Sequence, residues 1–387
     1  MDGIYLDHSA TTPVRSEVVE AMLPLYGTSF GNPSSIHYYG QQAKAALDKS
    51  RDIVAESIGG EPSEITFTGS GTEADNLAIV GAILASPPSR RHIITTAVEH
   101  DAVRKTVAYL SELGCRVTVL PVDIDGIVTA QEVEDAIRED TLLISVMHGN
   151  NEVGTIEPIG AISKVGHRHG VLIHTDAVQT FGQLSVDVNE LDVDLLTLSA
   201  HKIYGPKGVG ALYVRRGTPI LPEILGGGQE RGRRSGTENV AGIVGFAAAV
   251  SLMLPERAQM AARMTDMRDR FIARVIESIP ASFLNGPTGE RRLPNNINFS
   301  FENIEGEALL LNLDIAGIYA SSGSACSSGS IEPSHVLIAM GIETSKNRGA
   351  IRLTLGRETT EAQLDSAFNV LKETTTRLRS MSAHSFR

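Results

Sequence analysis

Apolar and polar positions along the chain switch repeatedly between two periods, and the switches predict the elements. Short apolar runs at His92–Ala97, Arg116–Val122, Leu142–Met147 and Val171–Thr175 read as strands. Helical spacing predicts helices over Glu17–Leu25, Gly40–Ile58, Asp101–Leu113, Thr129–Ile137 and Ile159–His169. The segment Glu64–Asn76 runs strand, glycine turn, helix. Strands that alternate with helices imply a mostly parallel sheet covered on both faces, with any ligand at the strands' C-terminal ends. The expected fold class is therefore α/β.

Two later stretches extend this pattern. Asp194–Arg215 reads as two short strands joined by the turn Gly205–Gly208, with Lys202 just beyond the first strand. An apolar helix over Val240–Leu254 then leads into a charged one over Glu256–Ile279, and the change marks a domain boundary. Residues 15–255 form the expected large domain, and residues 1–14 with 256–387 the small one. The small domain carries a strand at Pro294–Phe301 and a helix at Glu305–Ala316. Ten consecutive small residues follow, Ser321–Ser330, and a last strand over Gly349–Leu355 holds Arg352.

The predicted strand ends collect polar residues at one edge: Thr72, Glu99 with His100, Asn150–Glu152, Asp176 with Gln179, and Ser199 with His201 and Lys202. A lone Lys202 reads as a surface residue snorkelling off a strand end. Beside Asp176 it reads differently. Pyridoxal phosphate needs a lysine to bond its aldehyde and an acid to hold its ring nitrogen protonated. Desolvation lowers an amine's pKa and makes it the better nucleophile. If their strands are neighbours, Asp176 and Lys202 meet that specification. The turn Gly69–Thr72 at a helix start reads as a phosphate cradle, with Gly71 giving close backbone approach and Thr72 a hydroxyl; a plain turn capped by Thr72 is the other reading. His100 is placed to stack on the ring and move protons. The other histidines show no zinc spacing, so no intrinsic metal site is expected.

Arg352 lies between apolar residues and calls for a carboxylate partner, either a structural one or a ligand's. The Gly/Arg-rich loop Gly226–Asn239 reads as mobile or anion-facing. Cys326 sits among glycines and serines, where reactivity explains a thiol better than packing does, whereas Cys115 reads as buried and inert.

Composition narrows the class. The formal charge of -12 across 387 residues excludes a nucleic-acid binder built on a basic tract. Two cysteines give no disulfide framework and suit a reducing cytoplasm. The start MDGIYLDHSATTP lacks a secretory signal, and the apolar runs read as too short or too interrupted for a membrane span.

At this point the chain resembles cysteine desulfurases of the NifS/IscS group, in the class V aminotransferase superfamily of fold-type I enzymes. The resemblance covers nearly the whole length. It is carried by LDHSATTP, FGNPSS, FTGSGTEADN, VEH ending at His100, NNEVGT, HTDAVQ, SAHKIYGPKGVG, GGGQERGRRSGTEN, RLPNN and SSGSACSSGS. It implies a large domain with a mostly parallel, seven-stranded-type sheet and a smaller α+β C-terminal domain carrying a cysteine loop at about 321–333. It further implies that Lys202 holds the cofactor, Asp176 its ring nitrogen, and Gln179 with Asn151 its phenolic oxygen. Thr72, Ser199 and His201 would bind phosphate, joined by Thr237 from the second subunit of a homodimer. Arg352, with Asn151, would take the α-carboxylate of L-cysteine. Lys202 and His100 would move protons, and Cys326 would take the sulfur as a persulfide, leaving L-alanine. Implied acceptors are iron–sulfur scaffold proteins of the IscU/NifU kind and carriers for tRNA or cofactor thiolation, with Cys326 as a conceivable shared cluster ligand. Other class V enzymes, a selenocysteine lyase, and a non-catalytic scaffold-docking partner are the alternative readings.

Overall fold

The computed structural model describes residues 3–322 and 333–385. Its centre is a seven-stranded sheet of β1 (Ile65–Thr68), β2 (His92–Thr96), β3 (Arg116–Leu120), β4 (Thr141–Ser145), β5 (Leu172–Asp176), β6 (Leu195–Ser199) and β7 (Gly210–Val214), in the order β1-β7-β6-β5-β4-β2-β3. All pairs are parallel except those of β7, which runs antiparallel to both β1 and β6. Most strands are buried along their whole length because helices cover both faces, which removes the usual alternation. The expected α/β class is what the chain adopts. Predicted strand ends extend too far at Ala97 and Val122, where the chain has already left the ladder.

A second core lies C-terminally. Its antiparallel sheet holds β8 (Ser282–Leu284), β9 (Asn296–Phe301) and β10 (Ala350–Thr354), with β9 in the middle. The N-terminus joins this region: Ile4–Tyr5 pairs in parallel with Ile318–Tyr319, and Leu6 is buried in its apolar cluster.

The two helices expected over Val240–Leu254 and Glu256–Ile279 are one, Val240–Ser278, with Pro255 inside it. A proline removes one backbone donor and usually kinks a helix. Here burial on both sides outweighs that cost. Val250 and Met253 pack in the sheet-centred core, and Met264 and Phe271 in the C-terminal one. Contrary to the expectation of short apolar runs, this helix is long and apolar enough to cross a membrane by length and composition alone; half of its apolar window is buried within the fold.

The reading of Gly226–Asn239 as mobile or anion-facing needs correction at its middle. Glu230 is buried and accepts from both terminal nitrogens of Arg51, at 2.6 and 2.7 Å, and from the Phe67 amide at 2.8 Å. Glu230 and Arg231 adopt left-handed backbone angles, φ 47° and 58°. That strain persists because the buried ion pair over-determines the loop.

Candidate active site

The sheet brings Asp176 and Lys202 to one cavity of about 210 Å³. β5 and β6 are parallel neighbours, with Asp176 opposite Thr197, so both chains leave the sheet at the same edge. Beyond β6, the single turn Ala200–Lys202 sets the lysine over the cavity. Its ammonium donates to the carbonyls of Ser9 and, at 2.8 Å, Ala10. The Gln179 amide also donates to the Ser9 carbonyl, at 3.1 Å. Asp176 is buried and accepts from the Val178 amide at 2.8 Å. Burial pushes its carboxyl up, while the charges of His100 and Lys202 pull the other way.

A second wall is built for an anion. β1 delivers Ser70, Gly71 and Thr72 to the first turn of helix Gly71–Ala85. Ser70 is its N-cap, accepting from the Glu73 amide at 3.1 Å, so the cap is not Thr72. Gly71 faces the cavity closely: a Cβ there would stand 3.0 Å from Val178 Cγ2. Ser199 and His201 complete the wall. His201 Nδ1 pairs with Thr11 Oγ1 at 3.1 Å. Burial, and then the charges of Lys202 and Lys207, push the His201 imidazole down to about 4, so it is neutral at pH 7.

The third wall comes from the C-terminal core. Arg352 on β10 donates from Nη1 to the Asn151 carbonyl at 2.9 Å and from Nη2 to Asp7 Oδ1 at 2.8 Å. The carboxylate that its sequence setting called for is thus Asp7 within the chain. Its buried Nε has no hydrogen-bond partner among the described residues. His100 caps helix Asp101–Glu112, and its Nδ1 accepts from the Ala102 amide at 3.1 Å. That bond places the proton of the neutral ring on Nε2.

Ten of the residues expected at the site therefore line one cavity: Gly71, Thr72, His100, Asn151, Asp176, Gln179, Ser199, His201, Lys202 and Arg352. Thr237 is exposed and does not line it, and Cys326 lies outside the described residues. Cys115 is buried, and burial pushes its thiol up. His148 meets Thr180 Oγ1 at 2.9 Å, and His167 lies between Asp192 and Asp194. His335 Nε2 stands 3.0 Å from the Glu99 carbonyl.

Sequence reasoning missed the carbonyls of Ser9 and Ala10 and the buried carboxyl of Asp75. One Asp75 oxygen has no hydrogen-bond partner among the described residues, and His174 Nε2 stands 3.6 Å from it. The segment LDHSATTP signals a turn but not which element it crosses. Asp75 looks like any polar residue in the first turns of a helix.

These residues fit pyridoxal phosphate. A buried carboxyl and an amine line the same cavity, and a helix N-terminus with a glycine cradle and a neutral imidazole suits a phosphate.

The aminotransferase class-V family pattern matches residues 4–366. The chain is 50% identical over 381 residues to a cysteine desulfurase IscS of Dictyoglomus turgidum, covering 98% of this chain and 96% of that one. It is also 50% identical over 381 residues to one of Methanosarcina thermophila, covering 98% and 94%. Among solved structures, a NifS-like protein superposes with a TM-score of 0.91 at 40% identity, covering 97% of this chain and all of that one. The structure described as SspA in complex with cysteine gives 0.80 at 38% identity, covering 91% and 98%.

Proposed function

The chain belongs to the class V aminotransferase family and is a pyridoxal-phosphate-dependent cysteine desulfurase, and we propose how its residues divide the work. The observation that carries the reading is the meeting of Lys202, Asp176 and Arg352 at one cavity from two separate cores. When bound, the cofactor supplies an electron sink for the substrate's α-carbon. Asp176 holds the ring nitrogen's proton, and its burial makes that partner necessary, because an isolated buried carboxylate is costly. Gln179 and Asn151 orient the ring. Gly71, Thr72, Ser199 and His201 seat the phosphate.

Arg352 takes the α-carboxylate of L-cysteine, with its Nη2 shared between substrate and Asp7. Lys202 removes the α-proton and returns it. His100, with its neutral-ring proton on Nε2, donates into the same cavity. The Cys326 thiolate attacks the substrate sulfur. The electron pair of the broken C–S bond stays on carbon, which is protonated to give L-alanine, and the sulfur remains as a Cys326 persulfide.

Sulfur acceptors follow from this chemistry, and an iron–sulfur scaffold of the IscU/NifU kind is the acceptor we propose, with the reaction in the cytoplasm, where thiols stay reduced. The chain acts as a homodimer in which Thr237 reaches the partner's phosphate site. The exposed Phe30, Ile36 and Tyr38 support such an interface, lying next to Pro33 and Ser34, which share a pocket with Gly228 and Glu238.

The test is L-alanine released from L-cysteine, with and without a reductant, by the native protein and by Cys326→Ala. Release that collapses in the variant supports sulfur transfer through Cys326. A cofactor-loaded native protein that releases none would sink the reading.

A further inference from the structure

The chain segment bearing Cys326 leaves the described structure after Ser322 and re-enters it at Pro333. Both flanks are tied to the substrate end of the cavity. On the entering side, Ser321 and Arg352 exchange backbone hydrogen bonds at 3.1 and 2.7 Å. On the returning side, the buried Ser334 hydroxyl donates to Glu152 Oε2 at 2.5 Å. Asn347 clasps the same residue, accepting from its amide and donating to its carbonyl, each at 3.2 Å. Glu152 is itself held: its amide donates to Asn150 Oδ1 at 2.9 Å, and its carbonyl accepts from Asn296 and Asn298 at 3.0 and 2.9 Å. It directly follows Asn151, whose carbonyl receives Arg352.

A carboxylate buried at 3% exposure with a hydroxyl aimed into it is a costly arrangement for an ordinary loop anchor. Capping alone does not require it, since the Ser334 oxygen already accepts from the Leu337 amide at 3.2 Å. We propose that Glu152 and Ser334 form a positioning pair that fixes the chain at Pro333–Ser334 against the Asn151–Arg352 carboxylate site, so that one buried hydrogen bond sets the rate of sulfur transfer to Cys326 without seating the substrate. The proposal rests on the desulfurase reading above. Neither residue lines the cavity, and Glu152 is joined to it through the neighbouring Asn151.

The test uses the cofactor-loaded full chain with Ser334→Ala, Ser334→Gly and Ser334→Thr. Glycine removes the hydroxyl yet is itself a favoured helix cap, so it separates the Glu152 bond from the capping role. Losing a buried hydrogen bond and leaving its partner unsatisfied predicts that Ala and Gly lower kcat for L-alanine release about tenfold or more, and that Thr restores it. KM should stay within about twofold, as should L-cysteine affinity read from cofactor absorbance in a Cys326→Ala background. Independently of turnover, iodoacetamide should alkylate Cys326 about threefold faster or more in the Ala and Gly variants.

A Ser334→Gly protein with native kcat and a native alkylation rate overturns the pairing. So does a fall in kcat matched by an equal loss of L-cysteine affinity, which would assign the pair to substrate seating alone. If the native chain releases no L-alanine, the desulfurase reading fails by itself. Alkylation still decides the pairing in that case, because an unchanged rate in the variants would overturn it.

Discussion

The two ends of the cavity are built in different ways. At the cofactor end, Asp176, Ser199 and Lys202 stand at the ends of adjacent parallel strands, within one short stretch of chain. At the carboxylate end, Arg352 and Asp7 meet across 345 positions of sequence, from the last strand of a small antiparallel sheet and the N-terminal segment. The first end is local topology, a consequence of β5 and β6 lying side by side. The Arg352–Asp7 pair forms within the C-terminal core, which the N-terminal segment joins, and this end is completed only where Arg352 reaches the Asn151 carbonyl across the two cores, with helix Val240–Ser278 running through both. Under the proposed division of work, the parallel sheet supplies reactivity, whereas the junction supplies recognition.

Substitutions should separate these two contributions. The largest effect is expected at the cofactor end. Asp176→Asn keeps the shape and removes the charge that holds the ring nitrogen's proton, and kcat should fall on the order of 10²–10³-fold, as when a preorganised electrostatic group is lost. KM should change little. Activity within a few-fold of native would contradict the assignment of reactivity to the sheet.

A smaller and different effect is expected at Arg352→Lys. The lysine keeps the charge but loses the fork that serves Asp7 and the Asn151 carbonyl together. KM for L-cysteine should rise about 10- to 100-fold, the equivalent of one charge-assisted hydrogen bond, with kcat nearly native. A fall in kcat at unchanged KM would mean that this end also acts in the transition state, and the contrast would dissolve.

The same contrast explains what was legible in the sequence. Asp176, Lys202 and His100 were readable because each follows an apolar run, and a strand's end needs no knowledge of distant partners. Arg352 was readable only as a guanidinium in need of a carboxylate. That the carboxylate is Asp7, and that the Ser9 and Ala10 carbonyls receive Lys202, depends on docking that no periodicity records. Pro255 misled for a related reason. It is a strong local stop signal, overridden here because the apolar faces before and after it are buried in separate cores. Glu230 was lost in a loop whose glycines and arginines suggested mobility, because its partner Arg51 lies on a helix far upstream.

The smallest effect concerns pH, and it divides the molecule along a similar line. Buried imidazoles are held low: His148 and His201 at about 4, His8 at about 4 beside the N-terminal segment, and His174 at about 3 within the sheet, each chiefly through burial. Buried carboxyls near the junction are held high by burial: Glu152 at about 7, and Glu99 and Glu157 at about 8. The signs oppose each other. An imidazole depressed in the fold takes its proton first in the unfolded chain, so its contribution is lost as pH falls from 6.5 towards 4. A carboxyl raised in the fold keeps its proton after the unfolded chain has released its own, so its contribution is lost as pH rises from about 4.5 to about 8. Between pH 6.5 and 8 these buried carboxyls titrate, and each lowers stability by up to about 1.4 kcal/mol per pH unit; His167, whose imidazole is raised against burial by Asp194 and Asp192, loses its own contribution in the same direction. The urea midpoint of the cofactor-free chain should therefore fall across that window. Glu157→Gln, which keeps an acceptor for the Val128 amide now bound at 3.1 Å, should make the fall shallower. A midpoint that is flat or rising from pH 6.5 to 8, or one whose slope Glu157→Gln leaves unchanged, would show that these carboxyls are ionised inside the fold, so that the junction holds charge as readily as the sheet end does.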